Sequence, residues 1–208
     1  MSKENNLYGQ LIILTGPSGA GKTAVAEEIK KRESSISRIV TYCADRGPRE
    51  GEKDGVDYNF ISREQYQIMI SQGKFLEDNC VENSGVKVSM KATGRGELEE
   101  IRRGKTLIWI IDSGRAADIK EYISEKGYED IAEASTVFYI GVPSIKEMNR
   151  RQKLRDGEKY IQESAFNRIR AEWKIWKENQ DKYDRVIINE CGKLGETVDK
   201  IFEVAVRK

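Results

Sequence analysis

The chain has 208 residues, which corresponds to one domain of ordinary size or to one core with a smaller inserted subdomain. Hydrophobic residues make up 38%, and with the 18 glycines the apolar share lies in the range of about 45–50% that is typical of globular proteins. Lys and Arg number 36 against 35 Asp and Glu, and a net charge of +1 argues against a dedicated nucleic-acid or acidic-membrane binder. There is no histidine, which excludes Ser-His-Asp and Cys-His catalysis and zinc sites built on imidazole.

The apolar runs and the N-terminal segment predict a soluble, cytoplasmic protein. Stretches such as Leu11–Leu14 and Leu107–Ile111 are far shorter than the roughly 20 residues that cross a bilayer. Residues 1–10 contain no apolar run of the kind found in secretory signals. The three cysteines show no C-x-x-C spacing, so we expect reduced structural thiols.

Predicted strands and helices alternate along the chain. Strands are predicted over residues 11–15, 37–42, 74–81, 85–90, 105–112, 135–142 and 185–189, and helices over 23–32, 62–72, 94–103, 116–126, 144–153, 160–179 and 194–206. Several strands are near-continuous runs of branched residues, which is typical of parallel strands that are buried on both faces. The pattern therefore predicts an α/β fold with a parallel sheet and helices on both faces. The polar, glycine-rich stretch 44–58 is predicted to be an exposed working loop.

Residues 16–23, Gly-Pro-Ser-Gly-Ala-Gly-Lys-Thr, match the G-x-x-x-x-G-K-[ST] phosphate-binding motif between a predicted strand and a predicted helix. The glycines let successive backbone N–H groups point inward, and the helix N-terminus adds positive partial charge. We expect Lys22 to reach the β- and γ-phosphates of a nucleoside triphosphate and the Thr23 hydroxyl to bind Mg²⁺. The motif residues assigned to ATP binding are Gly16, Ser18, Gly19, Ala20, Gly21, Lys22 and Thr23.

A second candidate phosphate site lies in the charged loop that follows. Arg46 and Arg49 are three residues apart around Pro48, and paired guanidiniums suit bidentate recognition of phosphate. Glu52 lies within reach of both arginines. Neighbouring carboxylates also fit a solvated loop in which the arginines are merely neutralised, so these residues alone leave both interpretations open.

At this loop the chain resembles the guanylate kinase family. The family's acceptor loop has the pattern Ser-x-Thr-Thr-Arg-x-Pro-Arg-x-Gly-Glu-x-x-Gly-x-Asp-Tyr-x-Phe, and residues 42–60 read Tyr-Cys-Ala-Asp-Arg-Gly-Pro-Arg-Glu-Gly-Glu-Lys-Asp-Gly-Val-Asp-Tyr-Asn-Phe. The similarity continues in order through residues 73–77, 103–105, the strand that ends at Asp112, 143–144 and 183–189. It implies a P-loop kinase core with an inserted small nucleotide-binding subdomain and a mobile helical lid.

The resemblance implies a division of one domain, residues 1–208, into three parts. The core is expected over 8–36, 94–142 and 184–208, the acceptor-binding subdomain over 37–93, and the lid with its flanking helices over 143–183. A monomer and a homodimer fit the sequence equally well.

Position by position, the resemblance implies acceptor-phosphate contacts at Arg46, Arg49 and Tyr58. It places the main base-reading carboxylate at Glu77, and a carboxylate suits guanine because its N1–H and N2–H₂ groups are adjacent donors. Asp112 matches the later acid of the family's Asp-x-Asp. The residues assigned to GMP binding are Arg46, Arg49, Glu52, Tyr58, Glu77 and Asp112.

The resemblance also implies lid arginines, which place positive charge on the transferring phosphoryl group. Arg151 and Arg155 match the family's Arg-x-x-x-Arg before a glycine-containing turn. Arg168 is assigned as a further lid arginine, although in another register the family's Arg-Leu pair falls near Ala165. Asn189 matches the segment that borders the donor adenine. The catalytic assignments are Lys22, Arg46, Arg151, Arg155 and Arg168.

Several acceptor-side positions depart from the family pattern. The family's serine is Tyr42, and its two threonines are Ala44 and Asp45. The family's Tyr-Gly-Ser or Tyr-Gly-Thr segment is replaced by Val-Lys-Val-Ser at 86–89, and the first acid of Asp-x-Asp is Ile110. Loss of hydrogen-bond partners around a base changes specificity more than fold.

Three functions fit this sequence. The first is phosphorylation of GMP or dGMP with ATP and Mg²⁺, for which the lack of histidine is no obstacle because phosphoryl transfer relies on alignment and charge neutralisation. The second is a kinase of the same fold with another acceptor, such as a different nucleotide or ribose 1,5-bisphosphate. The third is a non-catalytic guanylate kinase-like binding module, against which the intact Gly21, Lys22 and Thr23 argue.

Overall fold

The computed structural model describes residues 9–48, 51–83 and 86–205, with side chains throughout except at residues 77–91, 159 and 164. The described residues form two compact units. The hairpin unit lies within Ile39–Gly104, and the sheet unit lies within Tyr8–Arg38 and Lys105–Lys208.

The secondary structure of the described residues is as follows. The strands are β1 (Leu11–Thr15), β2 (Ser37–Arg38), β3 (Tyr42–Cys43), β4 (Asn59–Phe60), β5 (Phe75–Asn83), β6 (Val86–Gly94), β7 (Leu107–Ile110), β8 (Ser135–Gly141) and β9 (Arg185–Ile188). The α-helices are α1 (Lys22–Arg32), α2 (Arg63–Ser71), α3 (Arg95–Arg102), α4 (Ser113–Ala117), α5 (Ile119–Glu125), α6 (Glu129–Glu133), α7 (Ile145–Asp156), α8 (Gln162–Asn179) and α9 (Leu194–Ala205). Short 3₁₀ turns occupy Gly157–Lys159 and Gln180–Lys182.

The sheet unit contains a parallel sheet with the strand order β2-β7-β1-β8-β9. All five residues of the central strand β1 are buried, as expected of a strand covered on both faces. One face packs on α1 and α9 through a core of aliphatic side chains and Phe138. On the other face, Tyr139 contacts Trp176 of α8. Alternate strand residues therefore serve opposite helix layers, and the predicted α/β fold with helices on both faces is confirmed.

The hairpin unit has a sheet of order β4-β3-β6-β5, in which β5 and β6 form the predicted antiparallel hairpin. Its small core consists of Ala44, Tyr66, Phe75 and Ala92. Helix α2 begins at a reciprocal cap, since the Ser62 hydroxyl accepts from the Gln65 amide at 3.1 Å and the Gln65 side chain accepts from the Ser62 amide at 3.0 Å.

Local boundaries differ from the predictions where side chains or tertiary pairing decide them. The single strand predicted over 37–42 is two short strands, β2 and β3, which belong to different sheets. The helix predicted over 116–126 begins earlier, at Ser113, because the Asp112 carboxylate caps it, and it is interrupted at Asp118. The short helix α6 was not predicted. In the described part of the chain, none of the helices combines the length and apolar character that a membrane span needs.

Candidate active site

The phosphate-binding loop follows β1 and is shaped by glycines at both ends. Gly16 has φ 130°, and a Cβ there would lie 2.1 Å from the Ile140 carbonyl oxygen. Gly21, the cap of α1, has φ 89°, and its Cβ would lie 2.6 Å from Nδ2 of Asn189. Backbone conformation and close packing therefore both require glycine at these positions, which explains the motif spacing physically.

The Lys22 side chain folds back across this loop. Its Nζ donates to the carbonyl oxygens of Gly16 at 2.6 Å and Pro17 at 3.0 Å. Burial lowers the pKa of Lys22 from 10.5 to about 8, and the charges of Glu172 and Asp112 oppose this shift while that of Arg155 adds to it. The ammonium thus lies over the loop, at the position where the motif predicts phosphate.

Thr23 and Asp112 follow adjacent strands, Thr23 after the loop that leaves β1 and Asp112 shortly after the end of β7. Thr23 is exposed in the first turn of α1, directly after the loop. Asp112 follows β7, which pairs in parallel with β1, and the Thr15 hydroxyl donates to the Ile111 carbonyl at 3.1 Å. The Asp112 carboxylate is exposed and accepts from the Arg115 amide at 3.0 Å. The structure therefore places Asp112 on the same edge of the sheet as the phosphate-binding loop.

Helix α7 rests on the loop through polar side chains. The Arg155 guanidinium donates to the Ser18 hydroxyl at 2.8 Å, and the Gln152 amide donates to the Ser18 carbonyl at 2.9 Å. Arg151 donates to the Asn189 carbonyl at 2.9 Å and is held by Glu147 at 2.7 Å. Of the predicted lid arginines, Arg155 thus contacts the loop itself, and Arg151 contacts Asn189 next to it.

Arg168, the third assigned lid arginine, has a different position. It lies on the exposed side of α8 and lines a shallow depression together with Glu163 and Asn167. Ala165, which the alternative register favoured, is buried.

Asn189 supports the loop from behind. It is 6% exposed, its Nδ2 donates to the Ala20 carbonyl at 2.8 Å, and its Oδ1 accepts from the Thr197 hydroxyl at 3.2 Å. Both polar atoms of the side chain are therefore engaged within the protein. The expected contact with the donor adenine stays a prediction.

In the hairpin unit, Arg46 is held in a fixed orientation. Two of its nitrogens donate to the two carboxylate oxygens of Glu52 at 2.6 and 2.9 Å, which raises the pKa of Arg46. The guanidinium lies 5.3 Å from the ring centre of Tyr58 and 5.5 Å from that of Phe60. Three of the predicted acceptor-site residues, Arg46, Glu52 and Tyr58, therefore form one cluster. Arg49 and the side chain of Glu77 lie outside the described residues.

The departures from the family pattern have structural roles. The Tyr42 ring packs 5.4 Å from that of Phe75 at the hairpin-unit core, and the Asp45 carboxylate accepts from the Cys43 thiol at 2.9 Å. Ile110 packs against the core of the sheet unit. The side chains of residues 86–89 lie outside the described set.

Glu172 and Ser113 were not predicted as site residues from the sequence. The buried Ser113 hydroxyl donates to Glu172 at 2.9 Å, while the Tyr183 hydroxyl donates to the Ser113 carbonyl at 3.0 Å. Burial raises the pKa of Glu172, and the charge of Lys22 opposes this shift. Glu172 carries no motif and lies in a helix rich in charged residues, so no sequence signal singled it out.

The strand, glycine loop and lysine-bearing helix on a parallel sheet define a P-loop phosphotransferase core. The family model described as guanylate kinase matches residues 8–205. The guanylate kinase of Malacoplasma penetrans is 30% identical over 99% of this chain and 97% of its own length, and that of Bdellovibrio bacteriovorus is 34% identical over 87% and 89%. The crystal structure of guanylate kinase from Anaplasma phagocytophilum superposes with a TM-score of 0.63 at 25% identity, covering 96% of this chain and 85% of that chain. The chain belongs to the guanylate kinase family.

Proposed function

We propose that the protein transfers the γ-phosphoryl group of ATP to GMP or dGMP. The observation that carries this proposal is the intact phosphate-binding loop, with Lys22 lying across it and Arg155 in contact with it, in a chain of this family. A pure binding module has no need of a lysine held over the loop or of a helix that docks an arginine on it.

On the donor side, the loop amides and the α1 N-terminus would bind the phosphates of ATP. Lys22 exchanges its two carbonyl contacts for phosphate oxygens, and its pKa of about 8 leaves it charged at neutral pH. Arg151 and Arg155 are already positioned at the loop by α7, so they supply positive charge beside the transferring group. Arg168 would need to leave its exposed position to join them.

We include Mg²⁺ in the proposal because the residues at the loop fit its coordination. Within the described ranges, no cluster of three or more acidic, cysteine or histidine side chains is arranged to hold a metal. Mg²⁺ usually binds through one or two protein oxygens together with substrate phosphates and water, and the exposed hydroxyl of Thr23 is such an oxygen. The bound ion would neutralise charge on the β- and γ-phosphates.

On the acceptor side, the Arg46–Glu52 pair supports a phosphate site. Glu52 holds the guanidinium plane of Arg46, so the remaining donor positions are oriented before the acceptor arrives. Arg49, Tyr58 and Glu77 are assigned to the acceptor by their positions in the family pattern, Glu77 as the reader of the guanine N1–H and N2–H₂ edge. We place the reaction in the cytoplasm, with no nucleic-acid or membrane partner.

A coupled assay of ADP release tests the proposal. The protein, ATP and Mg²⁺ are combined separately with GMP, dGMP, AMP, CMP, UMP and ribose 1,5-bisphosphate. We expect turnover with GMP or dGMP that Lys22→Ala abolishes and that Lys31→Ala retains, because the Lys31 side chain, on the same helix, is 80% exposed. Turnover only with a non-guanine acceptor would instead identify a kinase of the second class, and no turnover with any acceptor would favour a binding module.

A further inference from the structure

A cavity of about 360 Å³ lies in the sheet unit, on the face of the sheet that is covered by α8. Its floor is formed by the carboxyl ends of β8 and β9, and its walls by α7 and α8. Cavities of about 300–1,000 Å³ with mostly apolar linings and a few polar groups are typical of small-molecule sites. This cavity has that size and that composition.

Aromatic rings form one wall of the cavity. Tyr139 and Trp176 line the cavity and pack on each other with ring centres 4.3 Å apart, and Trp173 lines it with 53% of its surface exposed. Ile145 and Ile188, which are 50% and 44% exposed, also line the cavity. Trp176 already packs on Tyr139 and stacks on Tyr183, so its ring is partnered within the protein. The half-exposed Trp173, whose ring centre lies 5.7 Å from the Lys177 ammonium, is the indole on which a planar ligand ring would stack.

Glu172 is the acidic group in this lining. One of its oxygens, Oε2, accepts from the Ser113 hydroxyl at 2.9 Å. Among the described residues, no donor contacts the other oxygen, Oε1. Oε2 keeps a second lone pair, so the two oxygens together can accept a planar N–C–N pair of N–H donors, and the negative charge of the carboxylate selects against anionic ligands.

The cavity is separate from the proposed phosphate site although it adjoins it. Pro17 of the loop lines the cavity, but Lys22, Thr23 and Asn189 are not among its lining residues. A ligand in the cavity would therefore contact Pro17 of the loop and the α7 residues Ile145 and Met148, and it would not contact the phosphates.

We propose that this cavity is a binding site for a planar aromatic molecule that carries adjacent N–H donors on an N–C–N group, with Glu172 accepting those donors and Trp173 stacking on the ring. Amidines and the guanine base share this donor pattern. All of the lining residues belong to the sheet unit.

Intrinsic fluorescence tests the proposal on the intact protein, because Trp109 is fully buried while Trp173 and Trp176 line the cavity. Benzamidine is titrated as the probe, with benzoate as the ring of opposite charge. We expect saturable quenching by benzamidine and none by benzoate, about tenfold weaker binding in Glu172→Gln, and loss of most of the signal in Trp173→Phe. Excess ATP and Mg²⁺ should not displace benzamidine and should shift its affinity by no more than about threefold, because Pro17 and the charge of Lys22 couple the two sites without a shared ligand-binding residue.

Guanosine and inosine, which differ in the 2-amino group, distinguish the two sources of the donor pattern. Guanosine binding that Glu172→Gln weakens, together with weaker binding of inosine, would identify a nucleoside ligand. Binding of benzamidine alone would identify an amidine-type ligand. Because Glu172→Gln can disturb the Ser113 contact, its far-UV circular dichroism and melting are compared with those of Ser113→Ala, which keeps the carboxylate and should retain benzamidine affinity within about threefold. Equal quenching by benzamidine and benzoate, competition by ATP, or an unchanged affinity in folded Glu172→Gln would overturn the proposal.

Discussion

Two free-energy costs oppose the replacement of Gly21, the last glycine of the phosphate-binding loop, by alanine. The left-handed backbone at φ 89° costs an L-residue roughly 1–2 kcal/mol. The new Cβ would also lie 2.6 Å from Nδ2 of Asn189 and push that amide away from the Ala20 carbonyl, which it contacts at 2.8 Å. Loss of that hydrogen bond adds about 0.5–1.5 kcal/mol, so we expect Gly21→Ala to lower the free energy of unfolding by about 1.5–3.5 kcal/mol.

Gly127 provides the matched control. It has φ 86°, and a Cβ there meets nothing within 4 Å, so Gly127→Ala should lose only the backbone cost of about 1–2 kcal/mol. Urea unfolding of both variants measures the difference. The double variant Gly21→Ala with Asn189→Ala should be more stable than the sum of the single losses predicts, because the colliding amide is gone.

Equal losses for Gly21→Ala and Gly127→Ala, or strict additivity with Asn189→Ala, would show that Asn189 does not constrain the loop. A selective rise in the KM for ATP in Gly21→Ala, absent in Gly127→Ala, would be expected in the same preparations.

Three further predictions follow from particular contacts. Arg46→Ala should raise the KM for GMP about 10- to 100-fold with little change in that for ATP, since a charge-assisted hydrogen bond is worth about 1.5–3 kcal/mol, and equal effects on both substrates would contradict the assignment. Arg150 and Arg151 lower the pKa of Glu147 from 4.5 to about 2, so the stability that this carboxylate contributes is present above pH 4.5 and lost as the pH falls through about 2. Melting temperatures of wild type and Glu147→Gln should therefore differ most above pH 4.5 and converge at lower pH, and a constant difference would refute this. Tyr66 is fully buried in the hairpin-unit core, so Tyr66→Ala should cost about 3–5 kcal/mol in urea unfolding, and a loss below 1 kcal/mol would mean that this core contributes little.

The strongly periodic elements were predictable because their signals are local. The run Leu11–Thr15 is β1 at the residues predicted, and helices α7 and α8 lie within two or three residues of their predicted bounds. The weaker elements were not, because partners that are remote in sequence decide them. Residues 37–42 divide between two sheets, since β2 pairs with β7 and β3 pairs with β6.

In the candidate site, the loop glycines, Lys22 and the Arg46 pattern can be identified from the sequence alone, because a spacing rule or a family pattern specifies their residue types. A local motif is sufficient there because the backbone conformation it encodes is itself the binding group. Only the tertiary structure decided what surrounds that loop. Asn189 donates to the Ala20 carbonyl, Arg155 donates to the Ser18 hydroxyl, and Glu172 accepts from Ser113, which is 59 residues away in sequence. These contacts join strand ends and helices that are far apart in the chain, so their geometry exists only once the parallel sheet has brought them to one edge.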